Sequence, residues 1–451
     1  MPDSTFPSNQ RIEPSALFRW LVLIFISVAM FGNYYIYDSI ATVFDLLSSQ
    51  LEFTDEQLGL FYTAYSIAAI IVLLIGGYII DKFGTKKSIL LFAGICLVAA
   101  IVVASSSEFS VMLTGRFILG IGSEPLIVAV TTALAKWFKG KELSFAFGVN
   151  LLIARLGSVS ADWSPSFARP LYVNWQDPLW LATAFAGISI AGAILYWILE
   201  SKSEKKHILT ETDATEKLDL KSLYKFSKSY WYVVALCVVF YSTVFPFRAF
   251  AIKYFIEAHG LSRDAGGMLN SILPLAAGIA TPLFGLMVDK IGKRSLFMAV
   301  GSFILLPLFL VVTYAPAGPD ISVSLPFLGD YTWPLTLLIV MLLLGVAFSL
   351  IPAIMWPSVA YIVEQKRLGS GYSLMTLCQQ VGMAAIPWLI GFTNDAFMAG
   401  PENPGGYSPG MWIFTGLASL GLLFSFLLYK TETGPNAHGL ETITTKTGMS
   451  K

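Results

Sequence analysis

The sequence predicts an all-α membrane protein: twelve transmembrane helices folded as two pseudo-symmetric six-helix bundles. Three observations predict it: long apolar blocks, a one-sided distribution of Lys and Arg, and a loop sequence that occurs twice. The chain has 451 residues, 55% of them hydrophobic and only 13% charged, where an average soluble domain carries roughly 25% charged residues. Blocks such as 58–80, 111–135, 179–199 and 335–363 are each long enough to cross roughly 30 Å of hydrocarbon as a helix. The period-2 or period-3.6 alternation of soluble domains is missing over most of the chain.

Charged or Pro/Gly-rich breaks delimit spans near 17–38, 58–80, 88–105, 111–136, 143–167, 178–199, 230–256, 267–288, 295–314, 333–362, 370–394 and 411–429. Lys and Arg crowd one set of connections: Arg11 and Arg19; Lys82, Lys86 and Lys87; Lys136, Lys139 and Lys141; Lys290, Lys293 and Arg294; Lys366 and Arg367. The link after span six adds seven lysines from Lys202 to Lys228, whereas the opposite set holds only Arg169 and Arg263. Basic loops stay in the cytoplasm, so both termini are expected there. The chain then divides into a first bundle (1–200), a solvated linker with short surface helices (201–229), a second bundle (230–430) and a cytoplasmic tail (431–451). A net charge of zero gives no sign of a nucleic-acid partner. Cys96, Cys237 and Cys378 fall in apolar blocks as packing residues. His207, His259 and His438 lie in loops or the tail, so no metal or other cofactor is predicted.

The repeat sets the architecture. Gly77, Asp81, Lys82, Gly84, Lys86 and Lys87 stand between spans two and three. Gly285, Asp289, Lys290, Gly292, Lys293 and Arg294 stand in the same register between spans eight and nine. Parallel six-helix repeats characterise one large class of membrane proteins. In each loop glycine lets helices approach. The aspartate at the helix end can pair with a base or a neighbouring helix N-terminus, as a gating latch.

Charges inside spans are costly, by about 2.5–3.5 kcal/mol at the centre, and are kept for a cavity or a partner. Glu124 in span four and Arg155 in span five each lie about 15 residues from the turn near Lys139 and Gly140. At about 1.5 Å per residue both reach the same depth, near the midplane. Shifting the sequence by 225 residues aligns Gly120 with Gly345 and Gly157 with Gly382, and places Ser349 opposite Glu124 and Gln380 opposite Arg155. The second bundle thus supplies neutral groups where the first supplies charges. Three uses fit the pair: a site for a zwitterion, a structural ion pair between helices, or a proton-carrying Glu124. Tyr35 and Asp38 in span one are further candidates for the cavity wall, with interfacial anchoring as the alternative for Asp38. Trp356 and Gln380, with Gln379, are candidates from the second bundle. Arg248 and Lys253, after Phe245-Pro246-Phe247, are expected to reach an outer vestibule or the headgroups.

The two loops resemble the G-x-x-x-D-x-x-G-x-[RK]-[RK] signature of the major facilitator superfamily. Arg116 and Gly120, in Gly115-Arg116-Phe-Ile-Leu-Gly120, resemble its span-four signature, in which the arginine helps hold the first bundle together. Near a span end, Arg116 also suits snorkelling to the interface. Gly115–Val159, Val244–Phe247, Ser271–Lys293 and Tyr37-Asp38 are similar to the lysosomal dipeptide exporter family within it. That resemblance implies the major facilitator fold and passive, uniport-like movement of dipeptides, including basic ones, by a protein that is not an enzyme. It also implies that Glu124 binds the peptide's amino end and Arg155 its carboxyl end. The competing expectations are a proton-coupled or exchange transporter of another amino-acid-like solute or organic anion, and a non-transporting sensor. The partners implied are a small-molecule substrate and membrane lipid, with an accessory glycoprotein subunit only in an animal lysosomal member. The N-terminal stretch lacks an acidic dileucine signal, and the chain lacks an Asn-x-Ser/Thr sequon. Both point to a bacterial inner membrane; a eukaryotic member would sit in the lysosomal membrane.

Overall fold

The computed structural model describes residues 14–138, 142–203, 226–325, 329–364, 367–435 and 437–444. The first group comprises α1 (Ala16–Ser39), a 3-10 turn (Ile40–Val43), α2 (Phe44–Leu51), α3 (Asp55–Phe83), α4 (Thr85–Ser105), α5 (Phe109–Phe138), α6 (Leu143–Phe167) and α7 (Asp177–Ser203). The second comprises α8 (Lys228–His259), α9 (Arg263–Asn270), α10 (Ile272–Ile291), α11 (Arg294–Tyr314), α12 (Leu335–Ile362), α13 (Leu368–Ala396) and α14 (Ser408–Glu432). The expected surface helices of the linker fall largely outside the described residues. We call the end that holds residues 14 and 444 the terminal face, and the opposite end the far face.

Eleven segments among the described residues are long and apolar enough to cross a membrane. α6 is not one of them, although its 25 residues would span. Its polar load explains this: Asn150, Arg155, Asp162 and several serines turn toward protein instead of lipid. Asn150 donates to Ser27 of α1 at 2.9 Å, and Asp162 is buried. A span can carry such groups where neighbouring helices satisfy them.

The internal repeat is visible in backbone geometry. α3 and α10 both end on glycine with positive φ, 77° at Gly84 and 76° at Gly292, a conformation that suits a residue without Cβ. Each glycine N–H caps its helix, on Ile80 O at 2.8 Å and on Val288 O at 2.7 Å. The paired glycines of the 225-residue shift also match. A Cβ at Gly157 would strike the Phe31 carbonyl where α6 crosses α1, and one at Gly382 would strike Ser242 where α13 crosses α8. Gly120 and Gly345 close α5 on α3 and α12 on α10 in the same way. Gly285 is different: nothing among the described residues lies within 4 Å of its Cβ position, so it makes no close helix contact with them.

Two features are absent from the sequence-based expectation. Strands β1 (Asp320–Leu325) and β2 (Gly329–Pro334) form an antiparallel hairpin before α12, anchored by Trp333 Nε1 donating to Ala265 O at 2.9 Å. At the terminal face, residues 437–444 return onto the α10–α11 loop. Lys293 and Arg294 N–H groups donate to Glu441 O and Leu440 O, both at 3.1 Å, and Arg294 donates to Ile443 O at 2.6 Å. The Glu441 carboxylate accepts from the Ser295 N–H at 2.9 Å, capping α11.

The apolar core of the second group continues into the far ends of the first. Phe44, Leu47, Phe61 and Tyr62 belong to the same buried cluster as Phe247, Phe250 and Phe255. The two groups are therefore closed on one another at the far face.

Candidate functional site

A cavity of about 400 Å³ lies between the groups, walled by α1, α3, α5 and α6 on one side and by α8, α10, α12 and α13 on the other. These are repeat-related sets, so the cavity lies on the pseudo-symmetry axis.

Glu124, Arg155, Asp38, Trp356 and Gln380 all line this cavity. Tyr35 does not. On α1 the residues Asn33, Tyr34, Tyr37 and Asp38 share one face, as positions three and four apart do. Tyr35 is turned about 100° from Tyr34; it is buried against α7 and stacks on Phe185 at 3.7 Å between ring centres. The aromatic residues the sequence did not single out are Tyr65, Tyr241 and Phe348, whose place depends on helix rotation and not on composition.

Glu124 precedes Pro125 inside α5. Its Oε1 accepts from Tyr65 OH at 2.9 Å and from Gln380 Nε2 at 3.1 Å, while Oε2 has no partner among the described residues. Gln380 is the repeat counterpart of Arg155, so the second group reaches across to the first group's acid. The other counterpart, Ser349, does not face the cavity; its hydroxyl donates back to Gly345 O at 2.7 Å. The Arg155 guanidinium lies 5.5 Å from the Tyr34 ring centre and 5.3 Å from that of Phe348. It has no hydrogen bond or carboxylate partner among the described residues. Glu124 and Arg155 are thus not an ion pair in this structure. Cation–π contacts supply about 0.5–2 kcal/mol, less than a carboxylate bonded to both prongs of the guanidinium would. Trp356 walls the opposite side, with Nε1 donating to Tyr241 OH at 3.0 Å.

Asp38 has a second role. Beyond the cavity, Arg248 of α8 bridges Asp38 of α1 and Asp162 of α6, the latter at 2.7 Å. Asn270 donates to Asp162 at 3.0 Å. Lys253 meets Asp55 of α3 at 2.7 Å and Glu257 at 3.0 Å. Arg263 pairs with Asp45, and Arg169 with Asp264. Arg248 and Lys253 are therefore buried in ion pairs between the groups and do not reach a vestibule or headgroups. The acids of the opposite group cover them because the far ends pack together. Asp162, which the sequence reading passed over, carries the signal that would have found it: a carboxylate within a span.

Arg116 is buried behind the cavity wall, over the rings of Tyr37, Tyr62 and Tyr65 at 5.1–5.9 Å. It donates to Tyr37 O at 3.3 Å; it does not snorkel. In the loops, Asp289 pairs with Arg294 at 2.8 Å, and Arg294 also lies over Tyr361. Gly77, Asp81 and Lys86 occupy the matching loop of the first group, where Lys82 lies over Tyr78 and Phe83.

Two repeats of membrane-spanning helices enclosing a central cavity that presents Glu124 and Arg155 define a solute transporter, and the chain belongs to the Major Facilitator Superfamily, whose pattern matches residues 26–251 and again 247–448. This is a family of transport proteins and not of enzymes. Among curated relatives, the human lysosomal dipeptide transporter MFSD1 is 29% identical over 431 residues, covering 92% of this chain and 87% of that one. The mouse protein of the same name is 30% identical over 399 residues, covering 85% and 82%. A probable sulfoacetate transporter of Cupriavidus necator is 23% identical over 410 residues, covering 86% and 89%. Among solved structures, a variant of the nucleoside transporter NupG matches with a TM-score of 0.72 at 14% identity, covering 90% of this chain and 99% of that one. A bacterial homologue of the human lysosomal transporter Spinster, in an inward-facing, unoccupied conformation, matches at 0.69 and 16%, covering 93% and 98%. The protein is a multi-pass membrane transporter of this fold.

Proposed function

We propose that the protein moves small zwitterions, dipeptides first among them, by alternating access as a uniporter. The observation that carries this is the separation of Glu124 and Arg155. Each faces the cavity with bonding capacity unused, one for an ammonium and one for a carboxylate. A cavity of about 400 Å³ lies within the roughly 300–1,000 Å³ of small-molecule sites. Similarity to the MFSD1 dipeptide transporters supports the same substrate class. In this proposal the terminal face is cytoplasmic, in keeping with its basic loops, and the present form is closed to the far side. Bodies 1–200 and 230–430 rock about the cavity, and Asp81 and Asp289 latch the terminal face when it closes.

The test is uptake of a labelled dipeptide into proteoliposomes, competed by unlabelled dipeptides, single amino acids and dicarboxylates. Dipeptides compete best if the proposal holds. Equal or better competition by dicarboxylates overturns it in favour of an organic-anion carrier.

A further inference from the structure

The far face holds two buried clusters, each with one base between two carboxylates. They differ in who owns the charges. In the Lys253 cluster, Lys253 and Glu257 sit on one helix, four residues apart, and only Asp55 belongs to the other group. When the groups separate, Lys253 keeps Glu257. Asp55 loses Lys253 and the Asn394 donor, but it remains in the first turn of α3, where the helix dipole favours an anion and the Thr54–Gln57 capping box persists. The base keeps a carboxylate of its own helix, and the acid keeps its helix N-terminus.

The Arg248 cluster is built the other way. Both carboxylates, Asp38 and Asp162, belong to the first group, and their shared guanidinium belongs to the second. Asn270, the further donor to Asp162, also belongs to the second. Separation therefore strips Asp162 of both partners at once. The cation left nearby in the first group is Arg116. It is 1% exposed, and its Nε and Nη2 are buried with no hydrogen-bond partner among the described residues. Its Nη1 already touches the carbonyl of Tyr37, the neighbour of Asp38. Arg116 thus has idle donors one residue from Asp38 along α1. Arg263, over the Tyr172 ring, is engaged with Asp45. Tyr62 and Tyr172 contribute neutral hydroxyls, and Glu124 and Arg155 balance one another across the cavity.

Counting charge, the closed cluster is neutral: Asp38 and Asp162 against Arg248 and Arg116. Opened, the first group keeps two acids and one base. A lone carboxylate in a poorly hydrated site is relieved by a proton. We propose that Asp162 is a proton-binding site of the far-open form: on opening, Arg116 takes over Asp38 and a proton from the far compartment replaces Arg248 on Asp162. The proton leaves by the same face on closure, since Asp162 does not line the cavity. Acid on the far side then favours opening without driving a proton current. This rests on the alternating-access proposal but not on the identity of the substrate.

The experiment uses the full chain in lipid nanodiscs with spin labels at Glu52→Cys and Glu402→Cys, exposed far-face positions on opposite groups. Label distances are measured between about pH 8 and about pH 5. The far-open population is expected to rise on acidification, by up to about tenfold per pH unit for one proton. Asp162→Asn should abolish the slope and leave the far-open form abundant at every pH. Asp55→Asn should raise that form while keeping the slope. A flat profile in the otherwise unsubstituted chain overturns the proposal whatever the variants do, and so does an unchanged slope in Asp162→Asn. Labels that never separate under any condition refute alternating access itself, a distinguishable failure.

Discussion

The cavity and the far seal lie on neighbouring turns of the same helices and treat charge in opposite ways. In the cavity, Glu124 and Arg155 face each other's region unpaired, steadied by Tyr65, Gln380 and two aromatic rings. In the seal, Arg248, Lys253 and Arg263 each hold at least one carboxylate of the opposite group. The contrast teaches that an intramembrane charge is read by its partners and not by its depth. Charges without partners await a guest; charges paired across the interface hold one conformation.

Breaking the cavity side should give the largest effect. Arg155→Lys and Glu124→Gln should each lower dipeptide uptake by about a hundredfold or more, roughly 3 kcal/mol of binding. Thermal stability should be unchanged within a few degrees, because neither group supports the scaffold. Uptake assays beside melting curves check this; melting that collapses along with transport would make the pair structural.

Next comes the seal. Lys253→Met removes the base between Asp55 and Glu257, and breaking a buried pair from one side costs about 3–5 kcal/mol. The far-closed form should lose its dominance, seen as a longer distance between labels at Glu52→Cys and Glu402→Cys, while dipeptide binding to the protein in detergent persists. Loss of binding with unaltered label distances would erase the distinction between the two layers.

A smaller effect sharpens the border between them. Gln380→Leu removes one hydrogen bond to Glu124, worth about 0.5–1.5 kcal/mol, so KM should rise about three- to tenfold with little change in maximal rate. Smallest of all, Tyr35→Phe should leave KM unaltered, since the ring faces α7. A changed KM would place that ring in the substrate's path.

The helical architecture was legible because lipid imposes it. Apolar blocks, basic loops and the doubled glycine–aspartate loop are all one-dimensional signals, and α6 shows their weak point. Its polarity lowers its hydropathy although it packs like any other span. Glu124 and Arg155 were legible because a helix hairpin converts sequence distance into depth. What the sequence does not encode locally is rotation about the helix axis, which sends Tyr34 into the cavity and Tyr35 against Phe185. Nor does it say which acid waits on the far side of an interface. In sequence Arg248 and Lys253 read as vestibule or headgroup contacts, whereas the fold sets Asp162 and Asp55 of the opposite group beside them.

The tail offers a last consequence. Residues 440–443 splice the end of the chain to the α10–α11 loop through main-chain bonds, and Glu432 at the end of α14 accepts from Ser229 of α8 and from His438. Four otherwise distant helix ends are thus riveted into one plate beneath the second repeat, with no such brace drawn from the chain's own terminus under the first among the described residues. Rocking motion must carry that plate whole, whereas the first repeat ties its helix ends from within its spans, Glu200 of α7 accepting from Thr85 of α4 and pairing with Lys136 of α5.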